Sequence, residues 1–315
     1  MQIVKSKLSQ ITRILVAVAS LVFIVFKIKE QTGAGGGVDF SAVAVGPLLA
    51  AVALMPLNWF VESLKWRALT SYLQPLSVLE SLKSVLAGLA VSMLTPNRVG
   101  DFAGRITFLK PENRTAGAMS AFVGGYVQLL AIAAIGVVAF GMQPVLPEFL
   151  LWTAKCRFWS VVVAVGAVVF LSVFYFFCGR LALRFSFGRW PWLEKFVRAA
   201  GQHSAGQLAA AFGLSVVRCA VFMFQFGLVL AAVGIRVPFA EAFCAIALMY
   251  CFVSVIPSFA LVEWGVRGSM ALLFIMPVGG QPLPIVTATV AVWLMNVAFP
   301  AAVGALLFFL PAHRR

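Results

Sequence analysis

The chain has 315 residues, of which 62% are hydrophobic and 11% charged, with a mean hydropathy of +1.01 and a formal net charge of +14. A soluble domain is about 45–50% apolar and about 25% charged. These values exclude a soluble protein and leave one membrane domain, 1–315, with no room for a large soluble one. The basic residues lie in short runs beside apolar segments, which is the pattern of cytoplasmic loops and not of a nucleic-acid surface.

In chain order, Lys5, Lys7 and Arg13 precede the first apolar run, which ends in Lys27, Lys29 and Glu30. No small-residue cleavage site follows, so the run reads as a retained helix. A spanning helix needs about 20 apolar residues. Six stretches qualify: 11–28, 41–64, 117–141, 150–177, 208–233 and 284–310. Two shorter ones, 78–95 and 239–256, end at Pro96 and Pro257. Behind them lie 100–110 and 264–276, too short to span. They predict two hairpins, 78–110 and 239–276, that enter the membrane and return.

Charge supports this layout. With the N-terminus in the cytoplasm, Lys65, Arg67, Arg105, Lys110, Arg114, the loop with Arg180, Arg184, Arg189, Lys195 and Arg198, and Arg314 and Arg315 all fall inside. Lys155 and Arg157 run against the rule. Three spans separate the hairpins, so the two enter from opposite faces. The expected fold is an all-α integral membrane protein. It has about six transmembrane helices plus two re-entrant helical hairpins in an inverted-topology repeat, 41–140 and 206–310. Both termini are expected in the cytoplasm. Such repeats, with broken helices meeting near the midplane, characterise secondary transporters.

A motif recurs in the two hairpins. Residues 95–105 contain Pro96, Asn97, Arg98, Gly100, Asp101, Gly104 and Arg105; residues 256–267 contain Pro257, Glu263, Gly265 and Arg267. Each copy has a Pro, then an acid, then an Arg four beyond the acid. Glu80 lies 16 residues before Pro96, and Glu241 lies 16 before Pro257. Asn58 stands 22 before Glu80 and Arg218 stands 23 before Glu241, in near-equivalent places. Asp101/Arg105 and Glu263/Arg267 are i,i+4 pairs with the acid first, the favourable order on a helix.

Two readings of this charge stand side by side. The pairs neutralise themselves inside the fold, or they mark a substrate path, as charge within a bilayer often does. On the second reading Arg105, Arg267 and Arg218 hold a phosphate, with Asp101, Glu263, Glu80 and Glu241 as counter-ions or proton carriers. The arginine fork suits phosphate oxygens. Breaks at Pro96 and Pro257 free backbone groups that protein, water or ligand must satisfy, and the half-helices that follow would point positive ends into a cavity. Gly100, Gly104 and Gly265 allow close approach of a ligand or of another helix. Arg98 either reaches the phosphate or snorkels to the interface. Arg218 pairs with Glu241 or Glu263, or binds substrate. Glu62, Lys65 and Arg67 read as a cytoplasmic helix end, and the loop with Trp190 and Trp192 as lying on headgroups or as a plain basic loop.

No GxxxxGK[ST] pattern occurs, and neither Cys nor His spacing suggests a metal. No cofactor is expected, and no catalytic residue.

At Pro96 through Asp101 with Gly104-Arg105, at Pro257 through Glu263-Trp264-Gly265-Val266-Arg267-Gly268, and at Asn58 to Arg67 and Arg218, the chain resembles the flippase-like family of the lysylphosphatidylglycerol synthase transmembrane domain. That family often has Gly-Glu where this chain has Gly100-Asp101. Longer members append a soluble aminoacyl transferase. This chain runs only five residues past its last apolar stretch, so none is expected here. The resemblance implies a non-enzymatic flippase of the cell (inner) membrane, moving a phospholipid, aminoacyl-phospholipid or polyprenyl-phosphate-linked lipid between leaflets. Its implied partners are phosphate-bearing membrane lipids and a separate lipid-modifying enzyme. The rival readings are an integral membrane enzyme acting on a lipid phosphate and a non-transporting assembly factor.

Overall fold

The computed structural model describes residues 43–93, 95, 99–142, 157–182, 201–256 and 260–309. The expected span 11–28, the motif residues Pro96, Arg98 and Pro257, and residues 183–198 of the basic loop lie outside them. The described residues form helices and no strand: α1 Val45–Thr70, α2 Val78–Ser92, α3 Gly100–Ile106, α4 Arg114–Met142, α5 Arg157–Ala182, α6 Ala205–Ala232, α7 Phe239–Val255, α8 Ala260–Ile275, α9 Pro282–Trp293 and α10 Phe299–Phe309. A π-helical segment, Leu294–Ala298, joins α9 to α10 in one rod. Five helical stretches are long and apolar enough to cross a membrane: α1, α4, α5, α6 and α9 with α10. The protein is an all-α membrane protein.

Local chemistry sets several boundaries. Ser77 and Glu80 form a capping box at the start of α2, and Ser204 and Gln207 another at the start of α6. After α6, Gly234 takes φ +86, a left-handed conformation that an L side chain resists. Its N–H reaches the Ala231 carbonyl, and the Ile235 N–H reaches that of Leu230, which closes the helix end.

α2 folds back on α3, and α7 on α8. The first turnback is tight because glycines face backbone across it. A Cβ on Gly104 would sit 2.5 Å from the Ala87 carbonyl oxygen, and one on Gly100 would sit 2.5 Å from that of Val91. Gly304 of α10 likewise lies directly against the Leu86 carbonyl of α2. In a bilayer, lipid tails are as apolar as Leu, so close packing at small residues is a main source of helix association.

The longest contact in the fold is between α1 and α6. Ala44, Asn58 and Ser71 of α1 and its two flanks bond Ala232, Arg218 and Gln207 in reverse order, so the two helices run antiparallel. Several other contacts come in matched sets. α1 packs on α2 and α4 as α6 packs on α7 and α9; α2 packs on α10 as α7 packs on α4. The largest apolar cluster, with Phe226, Met249, Phe274 and Ile285, joins α6 to α9. α5 stands at the periphery and exposes Phe158, Trp159, Val163 and Phe170.

Candidate functional site

Side chains of α1–α4 and α6–α8 line a cavity of about 690 Å³. Its polar centre is Glu62. One carboxylate oxygen, Oε1, takes Arg105 Nη1 at 2.8 Å; the other, Oε2, faces Lys65 Nζ and Arg218 Nη1, each at 2.8 Å. Glu62 and Lys65 are only 4% and 1% exposed. This corrects the reading of them as a cytoplasmic helix end. α1 does not stop at 64 but continues to Thr70, and the buried Trp66 and Leu69 carry these charges into the interior. Arg67 alone is exposed there; its Nε donates to the Leu76 carbonyl at 2.9 Å.

A buried charge is tolerated when its partners are well placed and its remaining hydrogen-bond capacity is filled. Here the filling is extensive. Gln128 Oε1 accepts from Lys65 Nζ at 3.1 Å and from Arg218 Nη1 at 3.4 Å. Arg218 Nε donates to Asn58 Oδ1 at 2.9 Å. Asn58 Nδ2 donates to Asn296 Oδ1 at 2.9 Å, and Asn296 Nδ2 to Gln225 Oε1 at 2.6 Å. Gln225 Nε2 ends the chain on the Ala51 carbonyl at 2.9 Å. Asn296 belongs to the π-helical segment, a distortion often found at functional sites.

The hairpin pairs complete the charged lining. Arg105 Nε lies 2.9 Å from Asp101 Oδ2, and Arg267 Nε donates to Glu263 Oε1 at 2.9 Å. Each cavity arginine also lies over an aromatic ring: Arg105 over Trp66 at 5.7 Å, Arg218 over Phe222 at 5.0 Å and Arg267 over Tyr250 at 5.8 Å. The rest of the wall is largely apolar, with Leu89, Phe102, Phe122, Leu129, Ile132 and Val253.

Asp101, Arg105, Arg218, Glu263 and Arg267 therefore share one cavity, although they come from both halves of the chain. Asn58 stands behind it and holds Arg218. Arg218 bonds Glu62, and not the expected Glu241 or Glu263. Glu80 and Glu241 are not in the cavity lining. Glu80 is exposed at the start of α2, where its carboxylate accepts the Ser77 N–H at 2.8 Å. That backbone N–H, and then the Ser77 hydroxyl, hold the Glu80 carboxyl below the usual carboxylate range. Glu241 lies in the first turn of α7. An acid in the first turn complements the helix dipole, which accounts for both residues without a ligand.

Gly100 and Gly104 serve the helix contact of the hairpin and leave no gap for a headgroup. The Gly100 N–H is taken by Thr95 Oγ1 at 2.7 Å, so it is not aimed at a ligand. Gly265 is buried in α8, and its carbonyl accepts the Ser269 hydroxyl. Sequence reasoning passed over Glu62, Lys65, Gln128 and Asn296. The one signal for the first two was the spacing Asn58, Glu62, Lys65, which puts all three on one helix face. Among the described residues no group of three or more His, Cys, Asp or Glu side chains is set to hold a metal ion.

The sequence model of the lysylphosphatidylglycerol synthase transmembrane region matches residues 10–304. The chain belongs to this family. A comparison with curated proteins gives no match. Membership in the lysylphosphatidylglycerol synthase transmembrane family carries a role related to membrane lipids.

Proposed function

We propose that this protein moves a phosphate-bearing lipid between the leaflets of the cell membrane. The observation that carries this reading is the convergence of Lys65, Arg105, Arg218 and Arg267, from four helices, on one cavity with an otherwise apolar wall. The headgroup phosphate meets the cations while the acyl chains follow the apolar side. The antiparallel α1/α6 pair and the matched contacts of the two halves favour an inverted-topology repeat, with α2–α3 and α7–α8 as re-entrant hairpins entering from opposite faces. Such a repeat exposes a central site to each side in turn by rocking one half against the other. Both termini are then cytoplasmic, and a separate lipid-modifying enzyme supplies the lipid.

The test is leaflet exchange of a fluorescent phospholipid in proteoliposomes, read by chemical quenching of the outer leaflet. Purified protein is expected to make the inner pool accessible, and Arg105→Ala with Arg267→Ala to abolish this. Exchange equal to that of protein-free vesicles refutes the proposal.

One alternative has a specific observation behind it. Each cavity acid has a cation three or four residues away on its own helix. On that reading the charges only neutralise one another in an assembly factor. A charge-swapped Asp101→Arg/Arg105→Asp protein then keeps full function.

A further inference from the structure

Among the described residues, three carboxylates and four cations line the cavity: Glu62, Asp101 and Glu263 against Lys65, Arg105, Arg218 and Arg267. The balance is one positive charge. The surplus has an address. Lys65 follows Glu62 by three residues on α1, Arg105 follows Asp101 by four on α3, and Arg267 follows Glu263 by four on α8. Every acid thus has a cation of its own helix, at a spacing that places both on one face. Arg218 is different. It is the only charged residue of α6. It borrows Glu62 across the bundle at 2.8 Å and is steered by Asn58 at 2.9 Å. Its neighbour Phe222 covers one face of the guanidinium.

We infer that the cavity is a site for one negative charge, a phosphodiester, and that Arg218 is the cation that takes it. Glu62 is the carboxylate that holds Arg218 when no headgroup is bound. The inference rests on the cavity being the headgroup site and adds the charge class of the lipid.

When the phosphodiester arrives, four neutral pairs exist: Glu62–Lys65, Asp101–Arg105, Glu263–Arg267 and phosphate–Arg218. No carboxylate loses its last partner, so the exchange leaves no unpaired buried charge, the most costly outcome in a low-dielectric interior. Only Arg218 changes partner, over a reach that Asn58 keeps short. A phosphomonoester carries about −1.5 to −2 at neutral pH and would leave an excess of negative charge in the same place. Glu62 is therefore a specificity residue as well as a placeholder: its charge sets how much anion the cavity accepts.

The experiment measures binding separately from movement. Short-chain phosphatidylglycerol (one negative charge) and phosphatidic acid at pH 8 are titrated onto purified protein in detergent, and exchange is followed in proteoliposomes. Wild type is expected to bind phosphatidylglycerol about tenfold or more tighter than phosphatidic acid, the factor of one charge-assisted hydrogen bond. Arg218→Gln is expected to lose that binding by a similar factor, and Arg218→Lys to retain the preference. Glu62→Gln raises the surplus to two and is expected to bind phosphatidic acid at least as well as phosphatidylglycerol. It is also expected to release lipid slowly, so that half-saturation and turnover of exchange fall together. Equal binding of both lipids by wild type, or unchanged selectivity in Glu62→Gln, overturns the inference. So does wild-type binding by Arg218→Gln whose thermal midpoint matches wild type. Selective binding without any exchange keeps the charge assignment and refutes translocation.

Discussion

Gly104→Ala is a mechanical probe of the first hairpin. The added Cβ would lie 2.5 Å from the Ala87 carbonyl oxygen and 2.6 Å from Gly88 Cα. Both are backbone atoms of α2, so no side chain can swing away. Ordinary contact begins at 3.4 Å, and α3 must therefore withdraw by about 0.9 Å, an overpacking that costs about 1–3 kcal/mol. Arg105 rides on α3, so the shift also disturbs its 2.8 Å bond to Glu62. It also draws the Arg105 carbonyl from the Ser84 hydroxyl, which now donates to it at 2.9 Å. The comparison is Gly213→Ala on α6, where nothing lies within 4 Å of the new Cβ. Both substitutions gain about 0.5–1 kcal/mol of helix propensity, so their difference isolates the clash. Thermal unfolding in detergent and lipid exchange in vesicles are the assays. Gly104→Ala is expected to melt well below Gly213→Ala and to exchange lipid poorly. Equal midpoints for the two variants would refute the close-packed hairpin and, with it, the placement of Arg105.

Asn58→Leu and Asn296→Leu each strand a buried amide of the other, at about 1–3 kcal/mol, so the double variant is expected to lose less than the sum of the two; additive losses in unfolding would show that the two do not act as a pair. Ser77→Ala removes the α2 cap at about 1 kcal/mol, while Glu80→Ala is expected to leave phospholipid binding as in wild type. Because the Glu80 carboxyl is depressed in the folded protein, its share of the cap is present above the ordinary carboxylate range and is lost as pH falls through the folded value; stability of Glu80→Gln against pH, compared with wild type, reads this out. In a background lacking the five native cysteines, Ser71→Cys with Gln207→Cys is expected to cross-link through a short bismaleimide, since these side chains touch at 2.7 Å; Ser71→Cys with Ala232→Cys is not, and the reverse result would refute the antiparallel α1/α6 pair.

Hydropathy alone located the spans that the described residues contain, because length and composition suffice for a bilayer. The i,i+4 pairs were equally legible, since acid and base lie on one helix. The site's centre was not. Glu62 reads as a helix-end charge until Arg105 arrives from 43 residues away and Arg218 from the other half of the chain. Asn296 carries no charge and sits in a π segment that no periodicity announces. Glu80 and Glu241 stand apart from that centre. Their matched spacing places both in the first turns of helices, α2 and α7, and neither lines the cavity. Asn58 and Arg218, matched only by spacing in the sequence, meet in a direct 2.9 Å bond between the antiparallel α1 and α6.

The rings beneath Arg105, Arg218 and Arg267 alter the hydration history of the site. A guanidinium in open solvent carries water on both faces, and an incoming anion has to strip it. Here Trp66, Phe222 and Tyr250 take one face of each cation as the chain folds. Much of the dehydration is thus complete on folding, and each cation's orientation is already fixed. The in-plane edges already hold Glu62, Asp101, Asn58 and Glu263, so on the proposed function an anion takes the place of Glu62 at Arg218 rather than that of bulk water.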